Sequence, residues 1–582
     1  MPRRSRSWIA PAGSDGVTDA LFEPAPRAAW RPALLAGRGV LTCLAIGLAA
    51  LISLPILSVA LSALQPSGGA IDHLLKTVLP EILVNTVGLM AFVGIGTAVI
   101  GVGTAWLVTL CRFPGSRLLE WLLLLPLAIP AYIIGYAYTD ALAFAGPVQS
   151  ALRSLTGWTH GGYWFPDIQS LWGVSTMLTL VLYPYVYLLA RAAFLDQSVC
   201  VLEAARTLGA NPWGAFFRVG LPMARPAIAA GVALALMEAL ADFGTVEYFG
   251  VTTFTTAIYR TWFGMGDRVA AAQLATALLV FVLVLVAMEM AARRGRRFGA
   301  GARRHRRLVP LRLRPVAAAA AIVACLLPVL LGFVVPVAAL VRLHLDGGDP
   351  FLGPRFLHYA RNSFVLAGLA AGLVVAAGAL VAYAARLAPG AITATAIRIA
   401  SIGYAVPGTV IAVGILVPLG AFDNALDGWA KAHVGWGPGL ILSGTAAALL
   451  YAYLVRFLAV AVGPVESGLH KIPATFDAAA RTLGSTPSGV AWSIHAPLLR
   501  RSLLTAALVV FVDVLKELPA TLIVRPFDFD TLAVRVYNLA SDERLAQAST
   551  GSLVIVAIGL IPVIMITRMI ARERKAGERI AS

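Results

Sequence analysis

Glu203-Ala-Ala-Arg-Thr-Leu-Gly209, followed after nine residues by Val219-Gly-Leu-Pro222, has a near copy 275 residues further on. That copy reads Ala478-Ala-Ala-Arg-Thr-Leu-Gly484, nine residues, then Ile494-His-Ala-Pro497. A polar, helix–turn–helix-like signature repeated between apolar segments implies two copies of one membrane unit, each presenting the same docking element outside the membrane. Glu203 to Leu208 is helix-forming sequence, and Gly209 and Gly484 supply the permissive backbone that ends a helix. Pro212 and Pro487 can each begin a second helix, and Pro222 and Pro497 mark re-entry into the membrane. The small residues Ala204, Ala205, Ala479 and Ala480 let another backbone approach closely.

Composition sets the class. The chain has 582 residues, is 59% hydrophobic and only 13% charged, and has a mean hydropathy of +0.82. Soluble chains carry about 25% charge, so an all-α integral membrane protein is expected. Segments long enough to span a bilayer fall at 40–64, 82–110, 118–142, 168–190, 227–249, 271–292, 316–341, 364–385, 399–421, 439–463, 503–524 and 550–570. About twelve helices thus form two six-helix domains, 38–292 and 315–571, joined by an arginine-rich linker, 293–314. The flanking tails are 1–37 and 572–582. Pro55, Pro126, Pro130, Pro184 and Pro407 fall within spans, where neighbouring helices can accommodate them.

The net charge of +17 is distributed by side. With the N-terminus inside, cytoplasmic segments hold about three times as many Lys and Arg as external ones, which places both termini and both repeat motifs in the cytoplasm. The ten arginines from Arg293 to Arg314 read as a linker held near anionic membrane lipid, not as a nucleic-acid site. The basic N-terminus lacks the apolar core of a signal peptide. Cys43, Cys111, Cys200 and Cys325 are isolated and offer neither a disulfide framework nor zinc spacing. His160, His305, His433 and the other histidines form no metal motif and read as loop or surface residues.

Because each half has an even number of spans, the halves are expected to be related by an axis along the membrane normal, a parallel repeat. Further matches are Ile129-Pro130-Ala131 with Val406-Pro407-Gly408, Asn85-Thr86 with Asn362-Ser363, and Leu182-Tyr183-Pro184-Tyr185 with Leu450-Tyr451-Ala452-Tyr453.

The pattern Glu-Ala-Ala, three residues, Gly, nine residues, Ile, one residue, Leu-Pro resembles the signature of the inner-membrane permeases of binding-protein-dependent ABC importers. The first copy fits with Val219 in place of Ile. The resemblance implies a coupling helix seated on a separate ATPase subunit, two copies of which are expected. Glu203, Ala204, Ala205, Gly209, Asp477, Ala479, Ala480 and Gly484 would then be coupling residues. In the second copy the Glu position is Ala478, and Asp477 stands one residue early; one helical step turns a side chain by about 100°, so Asp477 is no simple substitute. Leu240-Ala-Asp-Phe-Gly-Thr-Val-Glu-Tyr-Phe-Gly250 and Lys516-Glu-Leu-Pro-Ala-Thr-Leu522, in a fused pair of domains, resemble the ferric-iron importer permeases. Thiamine, sulfate, polyamine and phosphonate permeases share the architecture. The resemblance also implies a periplasmic substrate-binding protein, docked by loops holding Tyr259, Arg260, Trp262, Asp528, Asp530, Asp542, Glu543 and Arg544.

Span five carries Glu238 and Asp242, and span eleven carries Asp513 and Glu517. Both pairs are spaced i, i+4 on one helix face, and the 275-residue offset maps one pair onto the other. Glu238 lies roughly 18 Å along a span starting near Pro226, and Asp242 roughly 24 Å. Acids at such depth face a cavity or a partner. They either line a path for a hard cation, with no tightly held metal, or serve the structure, with Lys516 pairing Asp513. No cofactor is implied, and no Gly-x4-Gly-Lys-Ser/Thr loop is present to bind ATP. A gradient-driven secondary transporter would explain the acids but not the repeated polar motif; a membrane enzyme would need a catalytic constellation that the sequence lacks.

Overall fold

A computed structural model describes residues 30–66, 76–159, 162–196, 212–293, 311–351 and 353–581. The first half holds α1 (Trp30–Ser62), α2 (Leu79–Leu110), α3 (Ser116–Leu122), α4 (Ala131–Leu142), α5 (Pro147–Thr156), α6 (Leu171–Asp196), α7 (Leu221–Ala241), α8 (Gly244–Tyr248), α9 (Phe254–Tyr259) and α10 (Arg268–Arg293). The second holds α11 (Pro315–Val329), α12 (Val335–Gly347), α13 (Pro354–Leu387), α14 (Ala391–Ser401), α15 (Gly408–Val434), α16 (Ala446–His470), α17 (Ala474–Thr482), α18 (Ala496–Lys516), α19 (Pro519–Val524), α20 (Leu532–Ser541) and α21 (Leu545–Ala581). Two-residue strands at Cys111–Arg112 and Leu311–Arg312 pair in parallel.

Among the described residues, ten helices are long and apolar enough to cross a membrane. An eleventh counts if Ser116–Ala128 and Ala131–Thr156, bent by 92°, are one span. The expected twelve continuous spans therefore need correction at the third, ninth and eleventh positions. The third and ninth break at Pro130 and Pro407, because a residue before proline is pushed out of the α region. Ile129 has φ −101°, ψ 123°, and Val406 has φ −80°, ψ 127°. The eleventh, α18, carries Arg500, Arg501, Asp513 and Lys516 and stops at Glu517, with α19 resuming at Pro519.

Proline also explains the irregular turns that open α7 and α18. Residues Phe216–Gly220 and Ala491–His495 are π-helical, and so are Leu330–Val334 before α12. In each case a proline (Pro222, Pro497 or Pro336) stands four residues beyond the centre of the wide turn, where it cannot donate the usual bond and its ring crowds that carbonyl. Pro222 and Pro497 thus lie within helical runs begun at Pro212 and Pro487 instead of starting new ones.

Each half is built on three mutually packed helices, α2–α6–α7 and α13–α16–α18. On α2, a Cβ at Gly101 would stand 2.7 Å from Val186 Cβ and 2.9 Å from Tyr187 N; on α13, a Cβ at Gly378 would meet Ala461 and Val462. This fixes the register between α6 and α16 at 275, not the 268 implied by matching Tyr183 with Tyr451. The sequence match slips seven residues, about two turns, and so falls on nearly the same helix face. Other matches hold: Asn85 Nδ2 donates to Thr252 O at 3.0 Å, and Asn362 Nδ2 donates to Asp530 O at 3.3 Å.

The halves exchange their outer helices. α1 and α10 pack with α13, α15, α16 and α18 in one core, whereas α11, α12 and α21 pack with α2, α4 and α6 in the other. The crossings are close: a Cβ at Gly414 would strike the Pro55 carbonyl, and one at Gly559 the Ala128 carbonyl. Ile95 and Val99 on α2 and Leu369 on α13 are mostly exposed, an apolar surface suited to lipid.

Candidate functional site

A cavity of about 140 Å³ lies where the broken helices of both halves meet, and all four acids of spans five and eleven line it. Asp242 and Glu517 occupy matching places, each as the residue after a long helix, with extended backbone (ψ 134° and 125°). Asp242 accepts from Thr245 N at 3.0 Å, Thr245 Oγ1 at 2.9 Å and Val246 N at 3.2 Å. Glu517 is buried and accepts from Ala520 N at 2.9 Å, Thr521 N at 2.9 Å and Thr521 Oγ1 at 2.5 Å. Both carboxylates therefore cap the first turn of the short helix that follows, supplying acceptors for otherwise orphaned N–H groups.

The other pair is held by side chains. Tyr404 donates to Glu238 Oε1 at 2.9 Å, a bond between halves. Lys516 Nζ lies 2.9 Å from Asp513 Oδ1. All four acids line the cavity, and each has at least one polar partner. Among the described residues no three His, Cys, Asp or Glu side chains are grouped to hold a metal ion.

The polar motif is visible in its second copy. Glu203, Ala204, Ala205 and Gly209 lie outside the described residues. In the second copy α17 ends in a Schellman turn, with Gly484 at φ +83°, Gly484 N bonded to Arg481 O at 3.0 Å and Ser485 N to Ala480 O at 3.0 Å. Ala478 and Ala479 are exposed, Ala480 is buried, and Asp477 turns inward. Arg386 at the end of α13 donates to Asp477 through Nε at 3.2 Å and through Nη2 at 3.1 Å. His495 Nε2 lies 2.7 Å from Asp477 Oδ1, and its Nδ1 bonds to the Tyr383 hydroxyl. His495 is 1% exposed, which corrects the expectation that it is a loop or surface residue. Phe476, Leu483 and Trp492 project from the same element and are exposed.

In the loops expected to meet a binding protein, Arg260 Nη2 lies 3.1 Å from Glu247 Oε1, and Arg525 pairs with Asp530. Asp528 and Glu543 adopt left-handed φ values of 57° and 60°.

Comparison with known proteins decides the family. The sequence pattern of the "binding-protein-dependent transport system inner membrane component" matches residues 97–299. The sulfate transport system permease protein CysT of Escherichia coli is 32% identical over 209 residues, which are 34% of this chain and 71% of that protein. This chain belongs to that permease family. It is also 26% identical over 538 residues to the Fe(3+)-transport system permease protein FbpB 2 of Haemophilus influenzae, covering 91% of this chain and 98% of the relative. The molybdenum transport system permease protein ModB of Escherichia coli is 32% identical over 149 residues, which are 26% of this chain and 62% of that protein.

The permease also carries a cavity residue that the sequence reading passed over. Arg456 lies within the apolar helix α16 and lines the same cavity. The signal was present, since a charge inside a bilayer-length apolar segment marks function or a partner. Unlike the paired acids, the arginine has no counterpart in the first half, where Val181 stands at the matching position.

Proposed function

We propose that this permease takes ferric iron from a periplasmic binding protein and passes it to the cytoplasm, driven by separate ATPase subunits. The observation carrying this reading is the resemblance to the Fe(3+)-transport permease along nearly the whole of both chains, fused halves included. Two ATPase copies dock, one on each coupling element: Glu203–Gly209 in the first half and Ala474–Thr482, with Gly484, in the second. The exposed apolar residues Phe476, Leu483 and Trp492 supply contact area there. Both termini are cytoplasmic, which the distribution of Lys and Arg favours. ATP-driven closure pushes the coupling elements together and rocks the halves about the central cavity, so Glu238, Asp242, Asp513 and Glu517 border the path. Sulfate and molybdenum are carried by relatives that match shorter parts of the chain, and an oxyanion cargo is the second reading.

The test is ATP-dependent accumulation of radioactive ferric iron, sulfate and molybdate in proteoliposomes containing this chain, its ATPase and its binding protein. Iron accumulation lost in a Gly209→Pro, Gly484→Pro double variant that still assembles supports the whole reading. Accumulation of sulfate or molybdate in place of iron keeps the importer and discards the iron.

A further inference from the structure

Four carboxylates and two cations line the central cavity, and among the described residues Arg456 is the charged one with neither a hydrogen bond nor an ion pair. Its Nη1 is buried with no hydrogen-bond partner. Among the described residues no carboxylate oxygen lies within 4.0 Å of its guanidinium. Its neighbour is the ring of Phe457, 5.8 Å away. Arg456 is half-buried, and leaving its buried Nη1 without an acceptor is costly, so that donor invites a ligand. The Tyr132 hydroxyl, also on the cavity wall, is likewise buried and without a hydrogen-bond partner. Two donors on residues of the cavity wall thus lack partners among the described residues, whereas each of the four acids has at least one.

The repeat shows that the fold does not need this charge. At the 275-residue register, Arg456 corresponds to Val181 and Lys516 to Ala241, and all four residues line the cavity. Both cations come from the second half, and the first half places apolar groups at the same positions. Lys516 is held by Asp513; Arg456 is not held. The absence of a side chain at Gly408 lets Arg456 and Glu517 pack closely against that backbone, where a Cβ would stand 2.9 Å from Arg456 Nη1 and 2.9 Å from Glu517 Oε1. The matching residue of the first half, Ala131, carries that Cβ.

We propose that the cavity is an anion site in which Arg456, assisted by Tyr132, receives anionic oxygens of the cargo. Guanidinium is the side chain best suited to carboxylate or oxyanion oxygens, which it meets through a planar fork of donors. The cavity has room for about four or five water-sized groups, enough for a small oxyanion or chelating carboxylate. Combined with the iron reading, on which this part rests, ferric iron crosses with an anion as companion. A bare hard cation would need several oxygen ligands, and each acid here already serves a cap, Tyr404 or Lys516 through at least one oxygen.

The experiment is equilibrium binding of radiolabelled orthophosphate and of citrate, each with and without ferric iron, to the full chain in lipid nanodiscs. Uptake of radioactive iron by the reconstituted complex is measured in parallel. At least one probe is expected to saturate at one site per chain, and Arg456→Gln to weaken it tenfold or more. Arg456→Lys keeps the charge but loses the fork, so it should bind more weakly than wild type and serves if the Gln variant does not fold. Wild-type binding in either variant, or no binding of any probe to wild type, overturns the anion site. Unchanged iron uptake in Arg456→Gln also overturns it while leaving the iron reading intact. Arg456-dependent anion binding without iron uptake by wild type keeps the site and discards iron.

Discussion

At the scale of single residues, the acids of the central helices are first of all caps and clasps. Glu517 satisfies two backbone N–H groups of α19 and the Thr521 hydroxyl, which in turn bonds the Tyr453 hydroxyl at 2.7 Å. Glu517→Ala leaves these buried donors without an acceptor and is expected to cost about 1–3 kcal/mol. The check is the melting temperature of the purified chain in detergent, with Leu369→Ala on the exposed surface as control. A Glu517→Ala protein that melts with the control would show that the cap is dispensable. The sequence displayed the two i, i+4 pairs and their repeat. It could not display the acceptors' use, because capping depends on the chain breaking at Asp242 and Glu517, a break that apolar periodicity does not announce.

Among the elements, α17 shows how a short polar helix is tied to the bundle. Its inward carboxylate, Asp477, is shared by Arg386 on α13 and His495 in the π-helical turn before α18, and Arg386 also donates to the carbonyl of Ile472 at 3.1 Å. Displacement of α17 therefore loads two of the three core helices of that half directly. Asp477→Ala removes the carboxylate partner of Arg386 and of His495, both with little exposure, and leaves Arg386 only backbone acceptors, a change expected to cost about 1–3 kcal/mol. Amide exchange across residues 474–483 should then accelerate relative to wild type, while exchange in α2 and α6 stays unchanged. Equal protection of α17 in both proteins would refute the tether. The motif's helix, glycine turn and second helix were legible from residue types alone. The inward turn of Asp477 was legible only as a misfit, one position out of phase with Glu203.

For the whole molecule, the deciding feature is the exchange of outer helices. Neither hydrophobic core is made from one half of the sequence alone. Gly414→Leu and Gly559→Leu would each drive a side chain into a backbone carbonyl of the opposite half, at Pro55 and Ala128, where no neighbour can give way cheaply. Either variant is expected to lose the monodisperse, folded chain on size-exclusion chromatography in mild detergent. Leucine at Gly368, which has open space around it, should behave as wild type. If the two inter-half variants also elute as wild type, the exchange is not required for assembly.

The sequence by itself determined the class, the repeat, the polar element between spans and the i, i+4 spacing of the paired acids. Each of these follows from local composition or from spacing along one helix, which the chain carries without reference to its neighbours. The tertiary structure alone decided the rest: which helices swap halves, where α6 and α16 align, which hydrogen bonds engage the acids, and that Arg456 has none among the described residues. Those depend on groups brought together from distant segments.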